Sequence, residues 1–450
     1  MSRRVFAAVL LAASAGAFAP AAHSTDGYFS HGHGMRGKGM AGAATAMATD
    51  AFGGATNPAS MVWVGNRLEL GLDWFSPRRG AERTGAGAAG IQGASNSDLD
   101  NFYIPEFAYN RMLNPGLALG VTVHGHGGMN TSYPGGEVSG AAAVGTCRNF
   151  RNGTAFAVTT QTSFNLLCGD GKLGVNLEQL VISPTISWKP ATNHSVGASL
   201  LFGYQRFKAE GLQGFAGFSA DSSKLTNNGN DTAHGWGMRV GWMGRVSDRV
   251  TLGAAYASQI RMSRFDKYAG LFAEQGDFDV PSNWSLGAAF KATDRWTVAV
   301  DYKRINYSDV RSVNNASNIT GTGNASIPRS LGCANCRGFG WDDVDVVKIG
   351  VEYVYSPKLT LRAGYGRSGN PIQSRDVTFN ILAPGVVQDH FTLGFTWAAT
   401  PTYELTLAFM HAPEKRVTGA SLYGDFGVAG FNETIRLKET SLGVGWALRM

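Results

Sequence analysis

The chain has 450 residues, of which 44% are hydrophobic and 16% charged, with 60 glycines and a formal net charge of +6. It is too apolar for a disordered protein, and no run approaches the ~18 to 20 apolar residues of a membrane helix. The basic excess is small and no basic run carries interleaved aromatics, which speaks against a nucleic-acid partner.

Residues 1–24 have the form of a secretory signal: Arg3 and Arg4, an apolar stretch over 5–13, then small residues ending Ala22-His23-Ser24. Cleavage after Ser24 leaves a mature chain beginning at Thr25 and lowers the net charge to +4, with 37 basic against 33 acidic residues. Residues 25–66 are too glycine-rich and too weakly periodic for strands, and they end in Asn57-Pro58-Ala59. Glycine and alanine suit close packing inside a barrel, so this segment is expected to fold back as a hatch, ahead of a barrel domain over 67–450.

From residue 67 onward, apolar and polar residues alternate in fourteen short stretches. The predicted strands are 68–75, 102–110, 116–124, 178–188, 194–207, 233–247, 250–262, 283–292, 296–304, 345–356, 359–367, 390–400, 403–411 and 438–448. Leu442, Val444, Trp446 and Leu448 share one face of the last, and Ser441, Gly443, Gly445 and Ala447 the other. Trp296, Val298, Val300 and Tyr302 likewise alternate with Thr297, Ala299, Asp301 and Lys303, and the two charges suit a wet lumen. Short Pro-, Asn- or Asp-rich turns follow every even strand and long connections every odd one. That parity is the pattern of an all-β, fourteen-stranded antiparallel transmembrane barrel with periplasmic turns and extracellular loops; a soluble sandwich would not explain it.

Cys147, Cys168, Cys333 and Cys336 fall in long loops of an exported chain. Local bridges Cys147 to Cys168 and Cys333 to Cys336 are the simplest of three pairings, and the Cys-x-x-Cys also admits a redox or zinc half-site.

The segments Gly37-Lys38-Gly39-Met40-Ala41-Gly42-Ala43 and Asn57-Pro58-Ala59-Ser60-Met61 resemble the hatch of the FadL/TodX-type outer-membrane transporters of long-chain fatty acids and aromatic hydrocarbons. Gly127-Gly128-Met129-Asn130-Thr131, Arg206 through Leu212, Ser263 through Tyr268 and Asn380 through Val387 extend the resemblance along the mature chain. It implies a monomeric, hatch-plugged barrel that passes hydrophobic molecules by passive diffusion, from an external apolar groove to a luminal pocket and out sideways through the wall. The chain departs from outer-membrane habit at its end, Leu448-Arg449-Met450, where a terminal aromatic is usual and Trp446 stands as the substitute signal for the assembly machinery.

The groove is expected at Phe207, Leu212, Phe215 and Phe218 after the fifth strand and at Phe265, Tyr268, Leu271 and Phe272 after the seventh, unless these side chains only pack the loops into a cap. Arg206, Lys208, Arg261, Arg264 and Lys267 beside them suit either a cargo carboxylate or lipopolysaccharide phosphates. Pro105 and Pro184 flank the third strand, whose Gly120 and Gly125 ease a bend, and mark a lateral gate facing Asn57-Pro58-Ala59; bends at strand ends would account for the prolines equally. His31-Gly32-His33 and His124-Gly125-His126 have no carboxylate or thiolate nearby in sequence, so no metal is expected. No Gly-x-Ser-x-Gly elbow, Ser-x-x-Lys motif or phosphate loop occurs, so neither enzyme activity nor a cofactor is expected. The reading is an outer-membrane channel of a Gram-negative bacterium for hydrophobic compounds, in contact with membrane lipid and lipopolysaccharide. The competing readings are a polar-solute porin and, behind it, a barrel lipid enzyme.

Overall fold

The computed structural model describes residues 26–87, 89–152, 154–318 and 331–450, so the expected signal over 1–24 lies outside the described residues. Fourteen antiparallel strands form the wall: β1 Arg67–Gly85, β2 Phe102–Asn114, β3 Leu117–Asn130, β4 Gly174–Ala191, β5 His194–Glu210, β6 Asp231–Arg245, β7 Val250–Ala257, β8 Asn283–Lys291, β9 Trp296–Ile305, β10 Val344–Ser356, β11 Leu359–Ser368, β12 Asp389–Ala398, β13 Tyr403–Ala420 and β14 Phe431–Arg449. Each pairs with the next, and β14 closes on β1 from Arg67↔Arg449 to Gly85↔Phe431. Closure removes the free sheet edges that could not survive in hydrocarbon. Among the described residues no helix is long and apolar enough to cross a membrane.

The period of two does what the sequence pattern predicts. Leu200, Phe202 and Tyr204 of β5, Trp236 and Met238 of β6, and Leu442 and Val444 of β14 point outward, with Trp236 63% exposed. Such a belt would aggregate in water and is satisfied only by lipid. Several strands outrun their predicted ends: β1, β13 and β14 continue outward through charged residues such as Arg79, Glu82, Lys415 and Arg436. Above the bilayer neither face has to be apolar, so the alternation that locates a strand fades there.

Facing glycines on the inner wall make room for the N-terminal segment. The register pairs Gly197 with Gly241, Gly253 with Gly287 and Gly350 with Gly364. A Cβ at Gly197 would overlap Pro58, one at Gly241 Asn57, one at Gly253 Thr45 and one at Gly364 Met40. Residues 26–64 therefore lie inside the barrel as a plug, with a short helix at Met35–Lys38 and 3-10 turns at Phe52–Ala55 and Pro58–Trp63. The long connections close over it in one apolar cluster that includes Phe207, Phe215, Phe272, Trp341, Phe379 and Leu382.

Candidate functional site

The wall is incomplete at one place. β2 pairs with β1 from Phe102 to Asn110 but with β3 only from Phe107 to Asn114, toward the short turn, so Phe102–Glu106 has no partner on the β3 side. Opposite, β3 remains paired with β4, with one extra residue between Gly125 and Gly127 that matches none on β4. Such a bulge bends the strand that carries it. Thr122 through Asn130 are buried whatever their parity, so this half of β3 turns inward from the wall. The plug takes the place of β2: Phe29 bridges to Gly127, the Ser30 N–H donates to His126 O at 3.2 Å, and the Gly128 N–H donates to Tyr28 O at 3.3 Å.

Of the four expected gate residues, Gly120 and Gly125 lie on the third strand, Gly120 still paired with Asn110 and Gly125 at the bulge. Pro105 lies on the unpartnered stretch of β2, and Pro184 faces lipid on β4 opposite Val121. Asn57-Pro58-Ala59 does not face this opening. Asn57 Nδ2 donates to Thr45 O and Trp242 O at 2.8 and 3.0 Å, its Oδ1 accepts from the Ala59 N–H, and the motif rests on β4, β5 and β6. The plug residues that take the vacated β3 edge are Tyr28–Ser30, which carry no turn or cap motif a sequence reading would single out.

Charges fix the plug from below. Lys38 Nζ lies 2.9 Å from Asp73 Oδ2 and 2.5 Å from Glu106 Oε1, all three side chains buried. Burial alone would lower the lysine pKa, but the two carboxylates outweigh it and raise it above the usual lysine range. Arg36 pairs with Glu404, Lys348 holds Asp26 at 3.0 Å, and Asp301 accepts the Ala44 and Thr45 N–H groups at 2.8 Å. Asp301 thus binds the plug where a wet lumen was expected, and the Lys303 ammonium lies 5.0 Å from the Phe29 ring centroid. Between the plug and β6, β8, β9 and β10 a cavity of about 50 Å³ is bordered by His33, His126, Arg239, Asp301 and Lys303. At the end carrying the short turns, a polar vestibule of about 550 Å³ opens below the plug, lined by Arg67, Lys358, Arg362, Glu404 and Arg449.

The structure corrects the expected groove. Phe207, Leu212, Phe215, Phe265, Tyr268, Leu271 and Phe272 are all buried, and Phe218 is half-buried. Phe207 packs against Phe265, Tyr268 and Phe272 with ring centroids 4.7 to 5.5 Å apart, and Phe215 stacks on Phe379 at 5.2 Å. Rings that meet each other at both loops fill the place of the expected trough, with a cavity of about 20 Å³ among them. The expected carboxylate anchors are corrected for the same strand geometry. Phe207 points inward, so Arg206 and Lys208 must point outward. Arg206 is bound bidentately by Glu178 at 2.9 and 3.0 Å and Lys208 by Glu210 at 2.9 Å. Arg261, Arg264 and Lys267 are exposed, with Lys267 donating to Asn230 O. The cysteines pair as Cys147–Cys168 and Cys333–Cys336.

Sequence reasoning missed one constellation. The two His-Gly-His segments were read separately and no metal expected, whereas the structure brings His33 to ring-centroid distances of 4.3 Å from His124 and 6.4 Å from His126. The recurrence of the motif was the only signal, and nothing in it says that plug and wall meet there.

A closed fourteen-stranded barrel with a lipid-facing belt and an internal plug defines an outer-membrane channel. The family model described as outer membrane protein transport protein (OMPP1/FadL/TodX) matches residues 6–421, and the chain belongs to this family, whose members are transport channels and not enzymes. The structure is similar to the toluene transporter TodX of Pseudomonas putida, with 20% identity, a TM-score of 0.62, and 95% of this chain and all of that one covered. It is also similar to the Ralstonia pickettii toluene transporter TbuX (16% identity, TM-score 0.59, 93% and 99% covered) and to a Pseudomonas aeruginosa FadL homologue (15%, 0.64, 94% and 99%). No curated protein sequence matches the chain significantly.

Proposed function

We propose that the protein carries hydrophobic compounds, long-chain fatty acids or hydrocarbons, passively across the outer membrane and releases them sideways between β2 and β3. The observation that carries this reading is the open stretch of wall at Phe102–Glu106, where Tyr28–Ser30 of the plug occupy the β3 edge and Gly34 and Lys38 hold Glu106. A through-pore for sugars has no use for a hole toward lipid, whereas an apolar cargo leaving there never enters water. Capture begins at the aromatic loops, which must part to admit cargo, because the cap is closed. Arg239 and Lys303 at the 50 Å³ cavity favour a cargo with an acidic head over a bare hydrocarbon. The outward Arg206 and Lys208, above Phe202 and Tyr204, suit lipopolysaccharide phosphates, and the closed ring of strands supports a monomer.

The test is plug movement. Thr45 Oγ1 and Ser285 Oγ are 3.0 Å apart, so cysteines at both positions place two sulfurs within bonding reach. In cells lacking their own fatty-acid channel, uptake of labelled oleate by Thr45→Cys/Ser285→Cys is expected to be lost on oxidation and regained on reduction. Equal uptake in both states refutes a moving plug, and liposome swelling by sugars would favour the polar-solute porin.

A further inference from the structure

His33 comes from the plug, and His124 and His126 from the inward half of β3, His126 being the extra residue of the bulge and His124 lying two residues before it. One nitrogen from each of the three lies within 4.8 Å of the other two, the one such His, Cys, Asp or Glu grouping among the described residues. His124 is fully buried, and neither of its ring nitrogens, nor Nδ1 of His33, has a hydrogen-bond partner among the described residues. Burying an imidazole with both nitrogens unused is costly, and a lone pair aimed at two further imidazoles suggests a ligand that accepts all three.

We propose that His33, His124 and His126 bind one late first-row divalent metal ion of the Zn²⁺ class, with the fourth position open to an anion. Three imidazoles and one open position are a recurrent zinc donor set, and a tetrahedral ion needs its nitrogens about 3.3 Å apart. Side-chain rotation, with the bulge to absorb any backbone shift, brings them there. Charge decides what fills the fourth position. Arg239, Lys303 and Lys348 outnumber the one carboxylate, Asp301, around the cavity beside His33, so a dication is held there only together with an anion. The 50 Å³ cavity touches His33, His126, Arg239 and Lys303 and has room for chloride or a small carboxylate. An ion so placed clasps the plug to the strand bordering the open wall.

The test uses the full, tag-free chain in detergent, stripped with chelator and titrated with Zn²⁺ and with Co²⁺, whose visible bands report tetrahedral geometry. About one ion per chain is expected, with tetrahedral cobalt bands that shift when formate is added. His33→Gln and His124→Gln are each expected to weaken binding by roughly 100-fold or more, and His31→Gln and His390→Gln to leave it unchanged. His33 lies on the plug, so that variant decides the matter even if a β3 variant fails to form a heat-modifiable barrel. Absence of stoichiometric binding, binding that survives His33→Gln, or cobalt spectra blind to formate overturns the proposal. No cargo is present in this measurement, so it stands or falls apart from the transport reading.

Discussion

Phe29 of the plug bridges to Gly127 of β3 at the level where β2 no longer pairs with that strand. A Cβ at Gly127 would overlap the Tyr28 carbonyl far more closely than the tip of the Gln179 side chain on β4, so Gly127→Val is expected to push the plug off the wall while Gln179 shifts to make room. Planar-bilayer recordings should then show a raised leak for small ions while the barrel keeps its heat-modifiable mobility. A leak equal to wild type would mean the bridge does not seal the wall.

His126 is the extra residue of the β3 bulge. Deleting it straightens the strand and lets it approach β2. Oleate uptake should fall at least tenfold, about 1.4 kcal/mol of effective barrier. His126→Ala keeps the bulge and should transport normally.

Lys38 sits between Asp73 and Glu106 with no access to water. Lys38→Met leaves two buried carboxylates facing each other and should destabilise plug docking by about 3–5 kcal/mol, seen as leak at lower urea than wild type. Adding Asp73→Asn and Glu106→Gln should recover most of that loss, because the penalty lies in the uncompensated charge.

Asp277 lies in the loop between β7 and β8, and burial, with Asp279 and Glu274 nearby, pushes its carboxyl up to about 6. The folded loop therefore binds this proton more tightly than the unfolded one does, and its stability rises as pH falls through 6 toward the ordinary carboxylate value of about 4. Limited proteolysis of the loop should be slower at pH 5 than at pH 7.5. Asp277→Asn should flatten the difference and protect the loop at pH 7.5.

The Cys147–Cys168 bridge closes 21 residues of the long β3–β4 connection. Replacing both by serine should cost this loop about 3 kcal/mol and expose it to proteases, with the barrel's thermal unfolding little changed.

The strands were readable because each span is a local pattern. Leu442, Val444 and Trp446 against Ser441, Gly443 and Gly445 state which face meets lipid, and two-residue turns such as Pro357-Lys358 state where the chain reverses. The candidate site was readable only in part. Gly125 lies at the β3 bulge and Pro105 on the stretch of β2 without a β3 partner, whereas the motif expected opposite, Asn57-Pro58-Ala59, docks on β4 to β6. The loop aromatics were read as one surface with their basic neighbours. Alternation along β5 separates Phe207 from Arg206, yet it fails as a guide inside loops, where each ring's direction depends on partners such as Phe379 from a distant connection.

By itself, then, the sequence determined the strand number, the alternation of short turns and long loops, the lipid-facing belt and a glycine-rich segment ahead of the first strand, because these rest on periodicity and composition within a few residues. Only the tertiary structure decided that Tyr28–Ser30 fill the place β2 vacates, that Lys38 meets Asp73 and Glu106, that the cap is closed, and that His33 joins His124 and His126. Those contacts join residues tens to hundreds of positions apart, and closure of the barrel around the plug, which no local pattern encodes, sets which of them meet.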